Sequence, residues 1–198
     1  AQSNSLYAIG GSADRKGGLM ADLLLTHGYF LYEDPKEMQI MKPYAPLGIL
    51  YLCSHLRQNG FDVDVFDTTF SSRAALFHHL QTERPGILGI YTNLMTRANA
   101  IEIMGVARQA GWRVIVGGPE PGAYAQEYLE AGAEFVVFGE GELTMQELLT
   151  AFREQPDTSA WRSKISGVAY LDDSGFHQNP PRDQIADLDA QPWPARHA

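Results

Sequence analysis

Residues 87–118 read ILGIYTNLMTRANAIEIMGVARQAGWRVIVGG, and this stretch contains a complete strand–helix–strand unit. Residues 87–91 are a continuous apolar run of the kind that is buried on both faces of a parallel sheet. Apolar residues then recur at helical spacing over 96–110, and a second apolar strand is predicted over 113–116. The pair Gly117–Gly118 follows directly. A parallel crossover unit is therefore expected at the centre of the fold.

The alternation of short apolar runs and amphipathic segments continues on both sides of this unit. Strands are predicted over 21–25, 61–66 and 135–138, and helices over 47–59, 71–83, 122–131 and 142–152. Five such units predict an α/β fold, a doubly wound, flavodoxin-like (Rossmann-like) parallel sheet of five strands in the order 2-1-3-4-5. The strict polar–apolar alternation of 61–66 (FDVDVF) predicts a strand near a sheet edge.

The pattern changes after residue 156. Residues 165–171 and 176–179 predict a β-hairpin with a Gly-containing turn, and the acidic, Pro-rich residues 187–194 are typical of a linker. We therefore predict three regions. The first is a flexible extension over 1–19, natural or artificial, which precedes a natural start at Met20. The second is an α/β domain over 20–156, and the third is a hairpin with a linker over 157–198.

Composition excludes several classes of protein. The 198 residues carry 15 basic and 24 acidic side chains, a net charge of −9, which argues against a nucleic-acid partner because phosphates require clustered Lys and Arg. The single cysteine, Cys53, cannot form an internal disulfide, an iron–sulfur cluster or a thiolate zinc site, and we expect it to pack in the core. The single cysteine predicts a cytoplasmic protein, and a soluble protein is predicted because no apolar run approaches a membrane span.

Ligands of open α/β sheets bind beyond the carboxyl ends of the strands, so the loops there form the candidate site. The first loop, 27–46, is long and rich in aromatic residues and Met. It either packs on a small core of its own or forms a lid over a large flat ligand. Gly117–Gly118 either make a turn that needs positive φ or let a ligand approach the backbone. Thr92 either caps a helix or offers its hydroxyl to a ligand.

Polar and charged residues at the same strand ends also have alternative interpretations. The run 139–142 (GEGE) imitates a phosphate loop, but its two carboxylates stand where a pyrophosphate would bind. Glu142 is expected to stabilise the helix dipole, whereas Glu140 is expected to bond a ligand or a partner domain. His27, at the end of the first strand, is either a satisfied polar residue or an axial metal ligand.

Several of these segments, taken together, resemble a known family. They are 46–52 (PLGILYL), 56–63 (LRQNGFDV) with Asp67, 117–120 (GGPE) and 137–142 (VFGEGE). In order and spacing they resemble the N-terminal cobalamin (vitamin B12)-binding domain of cobalamin-dependent radical S-adenosylmethionine (SAM) enzymes, of the anaerobic magnesium-protoporphyrin cyclase-like or methyltransferase-like group. The acidic, Pro-rich ending resembles the segment that leads into the radical SAM barrel of that family.

The cobalamin-binding fold has three signatures, which this sequence matches in part. Thr92-Asn93-Leu94 resembles the Ser-x-Leu signature with Thr in place of Ser, and Gly117–Gly118 matches the Gly-Gly signature. The Asp-x-His-x-x-Gly signature is not matched around His27, because Leu25 and Phe30 stand at its Asp and Gly positions. The resemblance therefore implies base-off cobalamin, with the benzimidazole tail detached from cobalt and no histidine ligand on the lower cobalt face.

The resemblance also implies which residues bind the cofactor. Thr92 would hold the ring nitrogen of the tail, Gly117–Gly118 would border the tail, and the corrin would lie beneath the aromatic first loop. The full set of implied cofactor-binding residues is Tyr29, Pro46, Leu47, Thr68, Thr92, Asn93, Leu94, Gly117, Gly118, Pro119, Glu120, Gly139, Glu140 and Gly141. No residue of this chain is implied as catalytic, and His27 is kept as a candidate cobalt ligand.

The implied function is that of a cofactor-holding domain in a larger enzyme that performs methyl transfer or a radical cyclisation on a small-molecule substrate. A C-terminal radical SAM barrel of the same polypeptide would hold a 4Fe–4S cluster and S-adenosylmethionine, since one cysteine cannot supply the cluster ligands. This chain alone would have no activity. The alternatives are a non-catalytic flavodoxin-like signalling or interaction module, and a flavin- or nucleotide-binding domain.

Overall fold

Strands and helices alternate along the chain in the computed structural model, which describes residues 21–196. The strands are β1 (Leu23–His27), β2 (Val63–Phe66), β3 (Ile87–Tyr91), β4 (Arg113–Gly117), β5 (Phe135–Val137), β6 (Val168–Asp172) and β7 (Gly175–Gln178). The helices are α1 (Pro35–Ile40), α2 (Leu47–Gln58), α3 (Arg73–Thr82), α4 (Arg97–Gln109), α5 (Ala125–Glu130) and α6 (Gly141–Glu154). The predicted extension over 1–19 and the predicted start at Met20 lie outside the described residues.

All seven strands belong to one sheet, in the order β2-β1-β3-β4-β5-β6-β7. The first five strands pair in parallel, which confirms the predicted order 2-1-3-4-5 and the edge position of β2. The predicted hairpin is also present, and β6 pairs with β5 in an antiparallel register. The hairpin therefore extends the central sheet. The division of the chain at residue 156 stays a prediction.

Helices cover both faces of the sheet and bury two apolar clusters. On one face, Leu88, Ile90 and Met104 lie in a cluster that α3, α4 and α5 cover. On the other face, Leu25 and Cys53 lie in a cluster that α2 and α6 cover. Cys53 is fully buried there, as predicted, and burial raises the pKa of its thiol. Among the described residues, no helix is long and apolar enough to cross a membrane.

Two predicted elements differ from the structure. The first strand begins two residues later than predicted, at Leu23, and extends to His27. The helix predicted over 122–131 is a short 3-10 turn at Pro121–Ala123 followed by α5. Tyr124 separates the two, because its φ of −126° and ψ of 31° lie outside the α-helical region. The chain can therefore bend where it leaves β4.

The connections after β1 and β3 run to opposite faces of the sheet. Helix α2 follows β1 on one face, whereas α4 follows β3 on the other. Adjacent strands whose crossovers diverge in this way leave a crevice at their carboxyl ends, where ligands of such sheets bind. The sheet order therefore places the site between β1 and β3.

The C-terminal segment, residues 179–196, returns across α2 and α6. The backbone N–H of Ala195 donates to the carbonyl oxygen of Leu50 in α2 at 3.0 Å. The buried His55 ring of α2 lies 2.9 Å from Gln191 Oε1 and 2.9 Å from Gln146 Oε1 of α6. The segment that was predicted as a linker is thus hydrogen-bonded to the helices that cover one face of the sheet.

Candidate functional site

A cavity of about 240 Å³ opens at the carboxyl ends of β1, β3, β4 and β5, between the sheet and the two helices α2 and α6. We call this cavity the glycine slot. It is lined by Leu25, Gly48, Ile49, Leu52, Gly89, Ile90, Tyr91, Ile115, Gly117, Gly118, Val137, Gly139, Glu140, Gly141, Glu142 and Met145. A larger and more open cavity of about 410 Å³ lies between α5 and β7, away from the diverging crossovers.

Glycines on separate elements create the space of the slot. A Cβ on Gly89 of β3 would lie 2.7 Å from a methyl group of Leu25, and one on Gly48 of α2 would lie 3.5 Å from the Tyr91 ring. A Cβ on Gly117 would lie 3.7 Å from the carbonyl oxygen of Val137. Side chains at these positions would therefore fill the slot from three sides. The slot exists because helix and strand residues that normally carry side chains are glycines here.

The floor of the slot is one row of residues across three strands. Leu25 pairs with Gly89, and Gly89 pairs with Ile115, in the parallel registers. This row lies two residues inside the strand ends, where Tyr91 pairs with Gly117. Two residues of a strand span about 6.6 Å, so the recess is about as deep as a bicyclic aromatic ring is long. The lining favours a flat apolar group.

The two glycines of the Gly-Gly pair have different roles. Gly118 has a φ of +124°, and a Cβ there would overlap the carbonyl oxygen of Thr92. Gly118 therefore serves the turn, because a side chain would be strained at this φ and would collide with the neighbouring loop. Gly117 lies at the end of β4 without such a collision and lines the slot. The predicted turn with positive φ is confirmed for Gly118, whereas the approach of a ligand to Gly117 stays a prediction.

The Thr92-Asn93-Leu94 run lies beside the slot without lining it. The Thr92 hydroxyl is fully buried, 3.2 Å from the hydroxyl of Thr96 at the start of α4. Asn93 Oδ1 accepts hydrogen bonds from the backbone N–H groups of Met95 and Thr96, and Leu94 is 71% exposed. The run therefore initiates α4. The role of Thr92 toward a ligand nitrogen stays a prediction, and its hydroxyl has other partners here.

Glu120 and Arg97 form a buried network below the Gly-Gly turn. Glu120 is only 8% exposed, and it pairs with Arg97 at 3.0 Å and accepts a hydrogen bond from the Tyr128 hydroxyl. Burial and this hydrogen bond raise the pKa of Tyr128 to about 12. Pro119, the preceding residue, is exposed. Glu120 thus anchors the turn from the face opposite the slot.

His27 is held at the end of β1 by its neighbours. Its Nε2 lies 2.8 Å from Oδ1 of Asp67, and its Nδ1 accepts a hydrogen bond from the backbone N–H of Tyr29 at 3.2 Å. This network assigns the proton of the neutral ring to Nε2. The Thr68 hydroxyl lies within 2.9 Å of the carbonyl oxygens of His27 and Tyr29. Neither nitrogen of His27 is free for a metal in this arrangement.

The same network lowers the pKa of the Asp67 carboxyl. Desolvation by burial raises the pKa of its carboxyl, but hydrogen bonds from His27 and Thr69 outweigh burial and hold that pKa below its ordinary value. The hydrogen-bonded pair of His27 and Asp67 connects the ends of β1 and β2. It fixes the point at which the long first loop leaves the sheet.

The first loop has buried residues next to β1 and exposed apolar residues in and around α1. Phe30 and Leu31 are buried, and Phe30 lies in the apolar cluster that α3, α4 and α5 cover, so part of the loop packs on the core. Helix α1 has no buried residue, and apolar side chains in the outer part of the loop, residues 32–44, are exposed. These exposed side chains are Tyr32, Met38, Ile40, Met41 and Tyr44. An apolar surface of this kind on a loop at the carboxyl edge fits a large flat ligand or a partner domain.

Tyr29 joins the inner and outer parts of this loop. Its ring stacks on Tyr44 with centroids 5.4 Å apart, and its hydroxyl donates to Glu37 at 2.8 Å. Burial and the Glu37 carboxylate raise the pKa of Tyr29 to about 12. Pro46 and Leu47 follow at the start of α2, where Leu47 is 44% exposed. Tyr29, Pro46 and Leu47 are therefore on the rim around the strand ends and not in the slot.

The segment before α6 forms the opposite rim. Gly139, Glu140 and Gly141 all line the slot, and their contact with a cofactor stays a prediction. The Glu140 carboxylate accepts a hydrogen bond from the backbone N–H of Ile185, so it also holds the C-terminal segment. Glu142 lies in the first turn of α6, where its charge complements the helix dipole. This rim therefore connects the slot with the returning chain end.

The sequence prediction omitted the residues that make the floor and inner wall. Gly48, Gly89, Leu25 and Met145 line the slot but were not among the candidate residues. Gly48 and Gly89 carried a usable signal, because glycine is unfavourable inside a helix or a strand unless something approaches the backbone closely. Leu25 and Met145 carried none, since both have the ordinary composition of a core strand and a core helix.

Comparisons with known proteins identify the family of this chain. The family model described as the B12 binding domain matches residues 40–149. An uncharacterized methyltransferase of Pyrococcus horikoshii is 30% identical over 160 residues, which cover 76% of this chain and 33% of that protein. The anaerobic magnesium-protoporphyrin IX monomethyl ester cyclase of Synechocystis sp. is 27% identical over 163 residues, which cover 78% of this chain and 31% of that protein.

A solved structure has the same fold. It is the radical S-adenosylmethionine methyltransferase TsrM from Kitasatospora setae with cobalamin and a 4Fe–4S cluster bound, which aligns at a TM-score of 0.66 and 23% identity. The alignment covers 88% of this chain and 31% of that one. The chain thus spans about a third of the length of these relatives.

Proposed function

This chain belongs to the B12-binding domain family, and we propose that it binds cobalamin base-off at the carboxyl ends of its parallel strands, with the benzimidazole tail in the glycine slot. One observation carries the proposal, namely that Gly48, Gly89 and Gly117 leave a recess that a Cβ at each position would narrow. The recess has the depth and the apolar lining that a detached aromatic base requires.

The size of the slot supports its assignment to the tail alone. Its volume of about 240 Å³ is below the roughly 300 Å³ at which pockets for whole small molecules begin. A corrin macrocycle would therefore remain outside, over the strand ends. Tyr91 and Gly117 mark the mouth through which the tail would enter.

The surface around the mouth has the character that a corrin face requires. The exposed apolar side chains of the first loop, including Met38, Met41 and Tyr44, stand on one side. Leu94, which is 71% exposed, follows β3 on another side. We place the predicted cofactor-binding residues Tyr29, Pro46, Leu47, Thr68, Asn93 and Leu94 at this rim, where they would border or position the macrocycle. Because the His27 ring is hydrogen-bonded to Asp67 and Tyr29, the lower cobalt face would have no histidine ligand.

We further propose that the chain is the cobalamin-holding part of a longer radical SAM enzyme. The aligned residues make up only 31–33% of these relatives, and the relatives' names describe methyltransferases and a cyclase. Bound cobalamin would supply methyl transfer or a radical step, whereas a barrel in the same polypeptide would supply the 4Fe–4S cluster and S-adenosylmethionine. The residues of this chain would bind and orient the cofactor and exclude water from its tail.

Cobalamin retention tests the proposal. The purified chain is mixed with hydroxocobalamin and desalted, and the visible spectrum is recorded. We expect stoichiometric retention with a base-off spectrum. A base-on spectrum would contradict tail insertion, and a colourless protein would favour a signalling or interaction module.

A matched pair of variants locates the bound tail. Gly117→Leu fills the slot and should abolish retention. Gly105→Leu is the control, because Gly105 lies in α4 with no atom within 4 Å of a Cβ and should leave retention unchanged. Wild-type retention by Gly117→Leu would contradict the assignment of the slot.

A further inference from the structure

The polar side chains of the glycine slot are all at its mouth. Among the described residues that line it, Tyr91, Glu140 and Glu142 have polar side chains, and they lie at the end of β3 and at the start of α6. Glu140 already accepts a hydrogen bond from the Ile185 amide. Any polar edge of a ligand can therefore be matched at the mouth, where these side chains are partly exposed.

The inner part of the slot presents carbon atoms. Its floor is the row Leu25, Gly89 and Ile115, and its inner walls include Leu52 and Met145. The floor residues lie within the paired registers of β1, β3 and β4, so their backbone N–H and C=O groups serve the sheet. Met145 is only 3% exposed. A polar group that reached this depth would lose its hydrogen bonds to water without replacement.

From this division we infer that the slot selects among cobamides by the base at the end of their tail, and that it favours a benzimidazole over a purine. The inference rests on the proposed cobalamin function. A detached benzimidazole has one free ring nitrogen, whereas an adenine attached in the same way has three ring nitrogens and an exocyclic amine. An adenine therefore leaves more polar atoms unsatisfied among the carbon atoms of the inner slot.

Met145 is the residue at which this selectivity can be changed. Its side chain is unbranched, and glutamine has nearly the same length and shape, so Met145→Gln adds a donor and an acceptor with little change in volume. The amide would offer hydrogen bonds to an adenine edge. Leu52→Gln provides a second test from the opposite wall, because Leu52 is half-buried and tolerates a polar side chain more easily.

The experiment measures the dissociation constants of cobalamin and adeninylcobamide for each protein by absorbance titration. The two cobamides differ in how easily their base leaves cobalt in solution. That difference belongs to the free ligand and is the same for every variant, so it cancels when the ratio of the two constants is compared between proteins. Cobinamide, which has no base, reports binding that does not involve the tail.

We expect Met145→Gln to shift the ratio about tenfold toward adeninylcobamide, which corresponds to about 1.4 kcal/mol. Leu143→Gln is the control on the same helix, since Leu143 is 36% exposed and does not line the slot, and its ratio should match that of the wild type. Leu52→Gln should shift the ratio in the same direction as Met145→Gln, which keeps the test valid if the buried variant unfolds.

The outcomes separate the two claims. An unchanged ratio in Met145→Gln and Leu52→Gln, with cobalamin still bound, would overturn the base selectivity and leave the cobalamin function intact. Equal affinity of the wild type for cobinamide and cobalamin would overturn insertion of the tail. Failure of the wild type to bind any of the three corrinoids would overturn the proposed function itself.

Discussion

Replacing Gly118 by alanine should destabilise the protein, whereas the same change at Gly117 should not. Gly118 has a φ of +124°, where an L-residue costs about 1–3 kcal/mol in strain. The new Cβ would also overlap the Thr92 carbonyl oxygen, so the loop after β3 must move as well. We therefore expect Gly118→Ala to lower the free energy of unfolding by about 3 kcal/mol.

Gly117→Ala provides the internal comparison. Its Cβ would lie 3.7 Å from the Val137 carbonyl oxygen, which is an ordinary contact, and its φ is not in the positive region. Removing a glycine also restricts the unfolded chain, which adds about 0.4–1 kcal/mol of stability. We expect this variant to be at least as stable as the wild type while its slot is smaller by one methyl group.

Urea and thermal unfolding of the two variants measure the difference. For a chain of 198 residues, 3 kcal/mol corresponds to a drop in Tm of about 6–12 °C. Equal Tm values for Gly118→Ala and Gly117→Ala would show that the turn does not require a glycine at the second position. A loss of stability in Gly117→Ala would refute the assignment of that glycine to the slot.

Three further predictions concern the surroundings of the slot. The pKa of Asp67 is lower in the folded than in the unfolded protein, so this carboxylate stabilises the fold above about pH 4, and the stabilisation is lost as the pH falls through the folded pKa. In acid unfolding, the free energy of unfolding of Asp67→Asn should therefore decrease less with falling pH than that of the wild type. Glu120→Gln should lower the free energy of unfolding by roughly 1–3 kcal/mol in urea, because Arg97 loses its buried ionic partner, and unchanged stability would show that the network is dispensable. His55→Ala should speed amide hydrogen exchange in residues 185–196, because it removes the contact to Gln191, while exchange in β4 should stay unchanged.

The order of the sheet could be predicted from the sequence because each strand carried its own periodicity. The run ILGIY is apolar throughout, as the central β3 requires, and FDVDVF alternates, as the edge strand β2 requires. Loop residues show no such repeating pattern of apolar and polar side chains. Thr92 comes directly after the last residue of β3, so the alternation of side chains along the strand no longer determines where its side chain points. The sequence therefore could not show that its hydroxyl lies beside that of Thr96.

The slot itself could be predicted only in part. Gly117 follows a strand end, which is where sequence reasoning looks for ligands, whereas Gly89 is inside a strand and Gly48 inside a helix. Their proximity depends on the register between β3 and its neighbours and on the position of α2, which are properties of the packed fold. The return of the C-terminal segment across α2 could not be predicted either. The hydrogen bond from Ala195 to Leu50 joins two backbone groups, so it does not depend on which side chains these residues carry.

A crystal structure of this chain with bound hydroxocobalamin would locate the benzimidazole tail. We expect the benzimidazole ring between α2 and α6, above Gly89, with its nitrogen detached from cobalt and no imidazole of His27 in its place. Density for the ring on cobalt, or on the face of the sheet covered by α3 and α4, would contradict this expectation.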